Sequence, residues 1–477
     1  MDDNKETIIK WSFWTIWLAF VIGCGFFIVY NAQWFIGDDA ILIRHTGSGK
    51  PFLPSGTVNP SSGRFYPFAY LVYDILLVFS KGTYISAQAH YAIHLVAFVV
   101  FVFCMTKLAL FVLKEVRSEY RFVIALFFAI TCIGRVFPNY VECFSTVWCS
   151  YTLLGMFLLS VLLFFKEQKW IHGCIALLLI NYMCYCLETG FVLPLSMGVS
   201  ALLFQRKAMT RNHKIFCWLL VASAALFLVL YAILILPHIH SAYDGSHGTS
   251  DSRIMNALRM TYAQKILLLA FVLLVVRVVD IIKNKKGYTF YDTLLLTGAA
   301  CCCGNFMLRL NWTLYYNGAA LLVLPSILYF SIHYLKERWS LMLFIALALF
   351  YGRKIPTTIQ KNQKHRSAVH REITSLSEMI DQTSDVFWYV PSTDEYSYDL
   401  VLRDWKHQSI DTYLGWLRGE PVFSTTDKES FERIDNSIWL SPSENEHLFP
   451  NDSCLLKYGE LIFSADGIQG YRVVINE

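Results

Sequence analysis

Charged side chains are scarce in this chain: they make up 16% of its 477 residues, where a soluble globular domain carries about 25%. The deficit is confined to the stretch before about Phe350, and the remainder has the composition of an ordinary soluble segment. A spaced cysteine framework is also missing. Ten of the 13 cysteines (Cys24, Cys104, Cys132, Cys174, Cys184, Cys186, Cys217 and Cys301 to Cys303) sit in apolar runs, where cysteine serves as a small hydrophobe. Only Cys143, Cys149 and Cys454 fall at or beyond a membrane surface, so neither a disulfide scaffold nor a zinc site is expected. No single sign of charge dominates. The net charge of +4 is spread in short clusters, which excludes nucleic acid as a partner.

Apolar residues supply 55% of the chain and aromatics 16%. A membrane-crossing helix needs about 20 mainly apolar residues. Runs of that kind lie near 11–31, 84–106, 121–136, 145–165, 170–187, 190–205, 215–237, 264–282, 290–308, 314–333 and 339–351. The fold class expected is therefore an α-helical polytopic membrane protein with about eleven transmembrane helices over residues 1–351. The first run follows Lys5 and Lys10 with no small-residue cleavage site before the next polar segment, which predicts an uncleaved anchor.

Basic residues orient the map. Taking alternate connecting segments, eighteen fall on one side: Lys5, Lys10, Lys107, Lys114, Arg117, Arg121, Lys166, Lys169, Arg206, Lys207, Arg211, Lys214, Arg277, Lys283, Lys285, Lys286, Lys336 and Arg338. Nine fall on the other: Arg44, Lys50, Arg64, Lys81, Arg135, Arg253, Arg259, Lys265 and Arg309. The excess belongs inside, so the N-terminus is expected in the cytoplasm and residues 352–477 outside. Tyr66 to Ser80 is apolar but short and carries Asp74. It is expected to lie at the interface or re-enter it, because counting it as a span would put the basic Lys114 to Arg121 segment outside.

The polar chemistry then gathers on the outer face, in loops 33–83, 135–145 and 238–264 and in the tail. Val386 to Val390 and Ser437 to Leu440 read as strands and Asp427 to Ile434 as a short helix. Glu460 to Ala465 and Ile468 to Ile475, joined by Asp466-Gly467, read as a hairpin with a tight turn. A small α+β extracytoplasmic domain over 352–477 is expected. It contains no nucleophile, phosphate-loop or metal motif.

The sharpest local signal is Phe35-Ile36-Gly37-Asp38-Asp39-Ala40, directly after the first span. Adjacent carboxylates at a membrane edge must be solvated, paired or used. Used, a carboxylate there acts as general base toward a hydroxyl or binds one on a sugar; otherwise it is a solvated helix end. Glu142 and Glu188 also sit at outer helix ends and could bind sugar hydroxyls, although structural roles are the commoner outcome there. His238, His240 and His247 with Asp244 and Asp251 lack the fixed spacing of a metal site, and no metal or other cofactor is expected. His90 and His94 are one helical turn apart and read as packed residues.

The acidic pair in the first external loop, the membrane-lying stretch within that loop and the C-terminal soluble domain together resemble the GT-C glycosyltransferases. That family consists of polytopic enzymes using polyprenyl-phosphate-linked sugars. Within it, size and layout are similar to the serotype-converting O-antigen glucosyltransferases of enteric bacteria and their phages. The resemblance implies a multi-pass enzyme of the bacterial inner membrane with a periplasmic C-terminal domain. It would move a sugar, glucose in that subgroup, from an undecaprenyl-phosphate donor to a lipid-linked glycan or a polysaccharide such as lipopolysaccharide O-antigen. Asp38 or Asp39 would deprotonate or orient the acceptor hydroxyl. Arg44, Arg64, Arg253 and Arg309 would be candidates to meet the charge building on the leaving phosphate; for Arg309, in Leu308-Arg309-Leu310-Asn311-Trp312, the competing role is an interfacial snorkelling arginine. Two other readings compete. A glycan polymerase usually carries its large external loops mid-chain, whereas here they come first and last. A transporter or flippase would show midplane charges and internal repeats, and these spans hold few such charges and no convincing repeat.

Overall fold

The computed structural model describes most of residues 2–361, except segments centred on 33–57, 81–84, 142–150, 187–189, 240–252 and 308–312; from 362 on it describes mainly five strands and a few helical residues. Helices fill the apolar runs. They are α1 (Asp2–Val29), α2 (Ile75–Ser80), α3 (Ala87–Val112), α4 (Ser118–Val141), α5 (Leu153–Glu167), α6 (Trp170–Cys184), α7 (Val192–Phe204), α8 (Arg211–Leu234), α9 (Arg253–Ala263), α10 (Lys265–Lys283), α11 (Phe290–Met307) and α12 (Thr313–Gly352). Each of the eleven apolar runs lies on one of these helices, with the last two sharing α12, which breaks at Lys336 (φ 63°, ψ 172°). Among the described residues, five helical segments are long and apolar enough to cross a membrane unaided. The chain is an α-helical polytopic membrane protein.

Exposed surface supports this. Ile8, Trp11, Ile22 and Phe26 on α1, and Trp218, Leu226, Val229 and Ile233 on α8, are all at least half exposed. Apolar faces of that extent are stable only against lipid. Between helices the packing uses small and polar side chains, as expected where hydrocarbon surrounds the bundle. The Trp17 indole donates to Thr106 Oγ1 at 2.9 Å, and Asn181 Nδ2 donates to Ser223 Oγ at 2.9 Å. A Cβ on Gly198 would come within 2.8 Å of the Cys217 carbonyl, so α7 and α8 touch there backbone to backbone.

The chain divides into two compact units. One comprises 1–30, 52–72 and 92–359. In it, Arg121 pairs with Glu6 at 2.7 Å and Arg117 with Glu337 at 2.7 Å. The starts of α1 and α4 and the break in α12 therefore share one end of the bundle, the grouping expected from the basic-residue count. Arg277 forms a buried network near the same end of its own helix. Its Nε and Nη2 donate to the two oxygens of Asp292 at 2.7 and 2.9 Å, and Nη1 donates to Tyr334 at 3.1 Å. Asp280 accepts from Tyr334, from Asn284 at 2.6 Å and from Lys286 at 3.2 Å, which fastens the α10–α11 turn. Asp292 also closes a capping box with Thr289: the Thr289 N–H donates to its carboxylate at 2.8 Å, and the Asp292 N–H donates back to Thr289 Oγ1 at 3.4 Å.

The other unit comprises 31–51, 73–91 and 360–477. Its five strands are β3 (Asp385–Trp388), β4 (Phe423–Thr425), β5 (Ser437–Pro442), β6 (Gly459–Ala465) and β7 (Ile468–Val473), ordered β4-β3-β5-β7-β6. Two short strands of the first unit, β1 (Val58–Asn59) and β2 (Arg64–Phe65), precede them in the chain. β3 runs parallel to β4 and β5, while β7 is antiparallel to β5 and β6. Ala465 pairs with Ile468 across the two-residue Asp-Gly connection, with an irregularity at Leu461/Phe463. The expected helix at 427–434 lies outside the described residues. Tyr73 and His90 stack in this unit with ring centroids 5.0 Å apart.

Tyr66 to Ser80 forms turns, a 3-10 helix over Leu71–Asp74 and then α2. Six α-helical residues rise only about 9 Å, so this stretch does not cross the bilayer. Helix α9 falls within the 238–264 loop, where no helix is expected from the sequence. Its Ile254, Leu258 and Tyr262 form an exposed apolar stripe at helical spacing, suited to lying along the lipid surface.

Candidate functional site

Part of the loop that follows α1 is held by aromatics. The strands β1 (Val58–Asn59) and β2 (Arg64–Phe65) pair as a small antiparallel ribbon, turned at Gly63, whose φ of 75° favours glycine. The Tyr231 hydroxyl donates to the Gly63 carbonyl at 2.9 Å. Phe65 inserts among Cys184, Tyr185, Phe227, Tyr231 and Ile235. Just beyond, the Tyr182 hydroxyl donates to the Phe68 carbonyl at 3.0 Å while the Phe68 N–H donates to the Tyr185 carbonyl at 3.1 Å. The loop is thereby fixed onto the ends of α6 and α8. Arg64, at the tip of this ribbon, donates to the Tyr66 hydroxyl at 2.7 Å and lies 5.8 Å from that ring's centroid.

A second polar constellation lies deeper in the same unit. Arg135 on α4 is 5% exposed. It lies eighteen residues beyond Arg117 in the chain, about 27 Å at the helical rise, so it approaches the opposite hydrocarbon edge. Its Nη2 donates to Asn317 Oδ1, which also accepts from Gln264 Nε2 at 2.9 Å. Asn317 Nδ2 reaches Tyr151 at 3.3 Å, and Asn139 donates to the same hydroxyl. The guanidinium carbon lies 4.7 Å from the Tyr351 ring centroid, and Tyr351 accepts the Ile266 N–H at 3.2 Å. Because Asn317 and Tyr351 both meet Arg135, the two halves of α12 return to the same end after the break at Lys336. Alongside, the Tyr140 hydroxyl donates to Thr152 Oγ1 at 2.8 Å, Thr152 donates to the Ala97 carbonyl at 3.1 Å, and His94 Nδ1 lies 3.2 Å from the Tyr140 carbonyl.

Gly134 makes this arrangement possible. A Cβ there would stand 2.6 Å from the Tyr351 carbonyl carbon and oxygen and 2.9 Å from the Gly352 nitrogen. Backbone cannot swing aside as a side-chain end can. Gly134→Ala is expected to cost about 1–3 kcal/mol, read as a lowered thermal midpoint of the purified chain. An unchanged midpoint would mean that α4 and α12 do not touch there.

Of the residues nominated from sequence, Asp38, Asp39, Arg44, Glu142, Glu188 and Arg309 lie outside the described residues. Arg64 is placed as above, and Arg253 opens α9. Most of the His238 to Asp251 loop is likewise outside the described residues. Arg135 corrects the span map. It was assigned to a polar outer loop beginning at 135, but α4 continues to Val141 and buries it. The signal that could have nominated it is a basic residue inside the run Ile133-Gly134-Arg135-Val136-Phe137, where a charge needs a reason. Asn317, Gln264 and Tyr351 carried no such signal.

No protein-family model matches the sequence, nor does any curated protein. Among solved structures the fold is similar to the crystal structure of ArnT from Cupriavidus metallidurans in the apo state. The TM-score is 0.55 over 96% of this chain and 98% of that chain, at 10% sequence identity. At such low identity the likeness shows the fold alone: the polytopic helical architecture expected from the sequence.

Proposed function

We propose that this chain is a membrane glycosyltransferase of the GT-C type. It takes a sugar from a polyprenyl-phosphate donor and transfers it, on the outer face of the cytoplasmic membrane, to a lipid-linked or cell-surface glycan. The observation that carries this reading is the fold shared with ArnT along nearly the whole of both chains, joined to the acidic pair Asp38-Asp39 directly after the first span. A carboxylate at that edge meets an acceptor hydroxyl arriving from outside, while the lipid-borne donor stays in the leaflet. Asp38 or Asp39 serves as base or orients the hydroxyl. Arg44, Arg64, Arg253 and Arg309 offset the charge developing on the departing phosphate, and Glu142 and Glu188 bind sugar hydroxyls. Glucose as the sugar and O-antigen as the acceptor follow the subgroup resemblance. The N-terminus in the cytoplasm and residues 352–477 in the periplasm follow the basic-residue asymmetry.

The test is genetic and chemical together. Deleting the gene in a bacterium that carries it should remove one sugar from a surface glycan. Membrane vesicles containing the chain should move label from an undecaprenyl-phosphate-linked sugar into that glycan. A glycan of unchanged composition in the deletion strain overturns the reading.

A further inference from the structure

We infer that Arg135, with Lys354 beside it, binds a phosphate group at the end of the bundle where α4, α10 and α12 meet. Arg135 is a buried charge without a counterion among the described residues. Arg135 is 5% exposed, and among the described residues it forms no ion pair: its partners are the amide of Asn317 and the ring of Tyr351. Among the described residues its Nε is buried with no hydrogen-bond partner. A buried guanidinium in membrane surroundings is expensive unless an anion answers it, and a neutral amide with an aromatic face offsets only part of that cost.

The contrast within the same bundle is direct. Arg277 is equally buried at 3% and has both oxygens of Asp292, the Tyr334 hydroxyl and the Gly287 carbonyl. One arginine is fully answered by the protein and the other is not.

A second cation points the same way. Lys354 is exposed, its Nζ lies 5.9 Å from the centroid of the same Tyr351 ring, and it is close enough to Arg135 for the two charges to repel. Two cations of like sign brought to one ring, with no carboxylate on the described residues around them, form a site whose missing component is an anion. The fork of a guanidinium suits phosphate oxygens, and a flexible lysine adds a point charge from the wet side. The membrane supplies phosphate in lipid-borne form. That the phosphate belongs to a sugar donor rests on the proposed transferase reading; that an anion binds here does not.

The test measures binding without turnover. The full chain is purified in detergent and its thermal midpoint is read with undecaprenyl phosphate, with phosphatidylglycerol and with inorganic phosphate. Undecaprenyl phosphate is expected to raise the wild-type midpoint by several degrees. A shift with phosphatidylglycerol of the same size identifies a headgroup site, and one with inorganic phosphate a free-anion site; each still supports an anion at Arg135. In all three cases Arg135→Gln removes the shift, and Lys354→Gln, at an exposed position that leaves folding intact, weakens binding several-fold. Without ligand, Arg135→Gln is expected to melt no lower than wild type, since it deletes an uncompensated charge. A lower ligand-free midpoint would mark Arg135 as purely structural and overturn the inference. So would a wild type that responds to none of the probes, or an Arg135→Gln variant that keeps the shift. If binding follows this pattern while no sugar transfer is found, the transferase reading fails and the anion site stands.

Discussion

Replacing Asp292 with alanine is expected to destabilise the purified chain by about 3 kcal/mol, the low end of the cost of stranding a buried charge. Asp292 accepts two hydrogen bonds from Arg277, at 2.7 and 2.9 Å, and its side chain is 2% exposed. Its loss leaves the guanidinium with the Asp280 carboxylate at 3.8 Å, Tyr334 and the Gly287 carbonyl, which is why the low end applies. The capping box with Thr289 goes too, freeing an N–H at the start of α11. The two effects separate in a double-mutant cycle. Replacing both members of the pair, Arg277→Met with Asp292→Leu, should recover most of the ion-pair loss, because apolar residues of similar volume need no counterion. It should not recover the cap. If Asp292→Ala melts within a degree of wild type, the network does not hold α10 to α11. If the double variant melts below the single one, the pair contributes net stability beyond the removal of an orphan charge.

The helices were legible because hydrophobic length is a strong, local signal: each apolar run needs no distant partner to declare itself. The tail hairpin was legible for a similar reason, since Asp466-Gly467 sits between two alternating segments. What escaped depended on contacts. α4 was ended at 136 because Arg135 looked like the edge of the membrane, whereas the helix runs through Pro138 to Val141. It can do so because Gly134 lets α4 lie against the end of α12, and Asn317 and Tyr351 then meet the guanidinium. None of those three residues is unusual in its own sequence neighbourhood. The ribbon at 58–65 was missed because two-residue strands have no periodicity to read; tertiary aromatics, Phe65 above all, hold it in place. α9 was missed because its apolar stripe faces outward and follows a Gly- and Ser-rich stretch.

The largest functional effect is expected at Asp38 and Asp39. A positioned general base contributes roughly 10²- to 10⁴-fold to a rate. Whichever of the two accepts the acceptor's proton should therefore lose transfer by that factor on replacement with asparagine, which keeps shape and hydrogen bonding but removes basicity. The other carboxylate, if it orients the acceptor, should show its loss chiefly in KM for the glycan when changed to asparagine. The assay is label transfer from an undecaprenyl-phosphate-linked sugar by vesicles containing equal amounts of each variant, with thermal midpoints confirming that each is folded. An asparagine variant at the base should not be rescued at any pH, while an Asp→Glu variant should keep part of the rate because basicity survives with altered reach. Full activity in both Asp38→Asn and Asp39→Asn, with normal folding, would remove the pair from the mechanism. It would turn attention to Glu142 and Glu188 as the source of the base, leaving the fold shared with ArnT untouched.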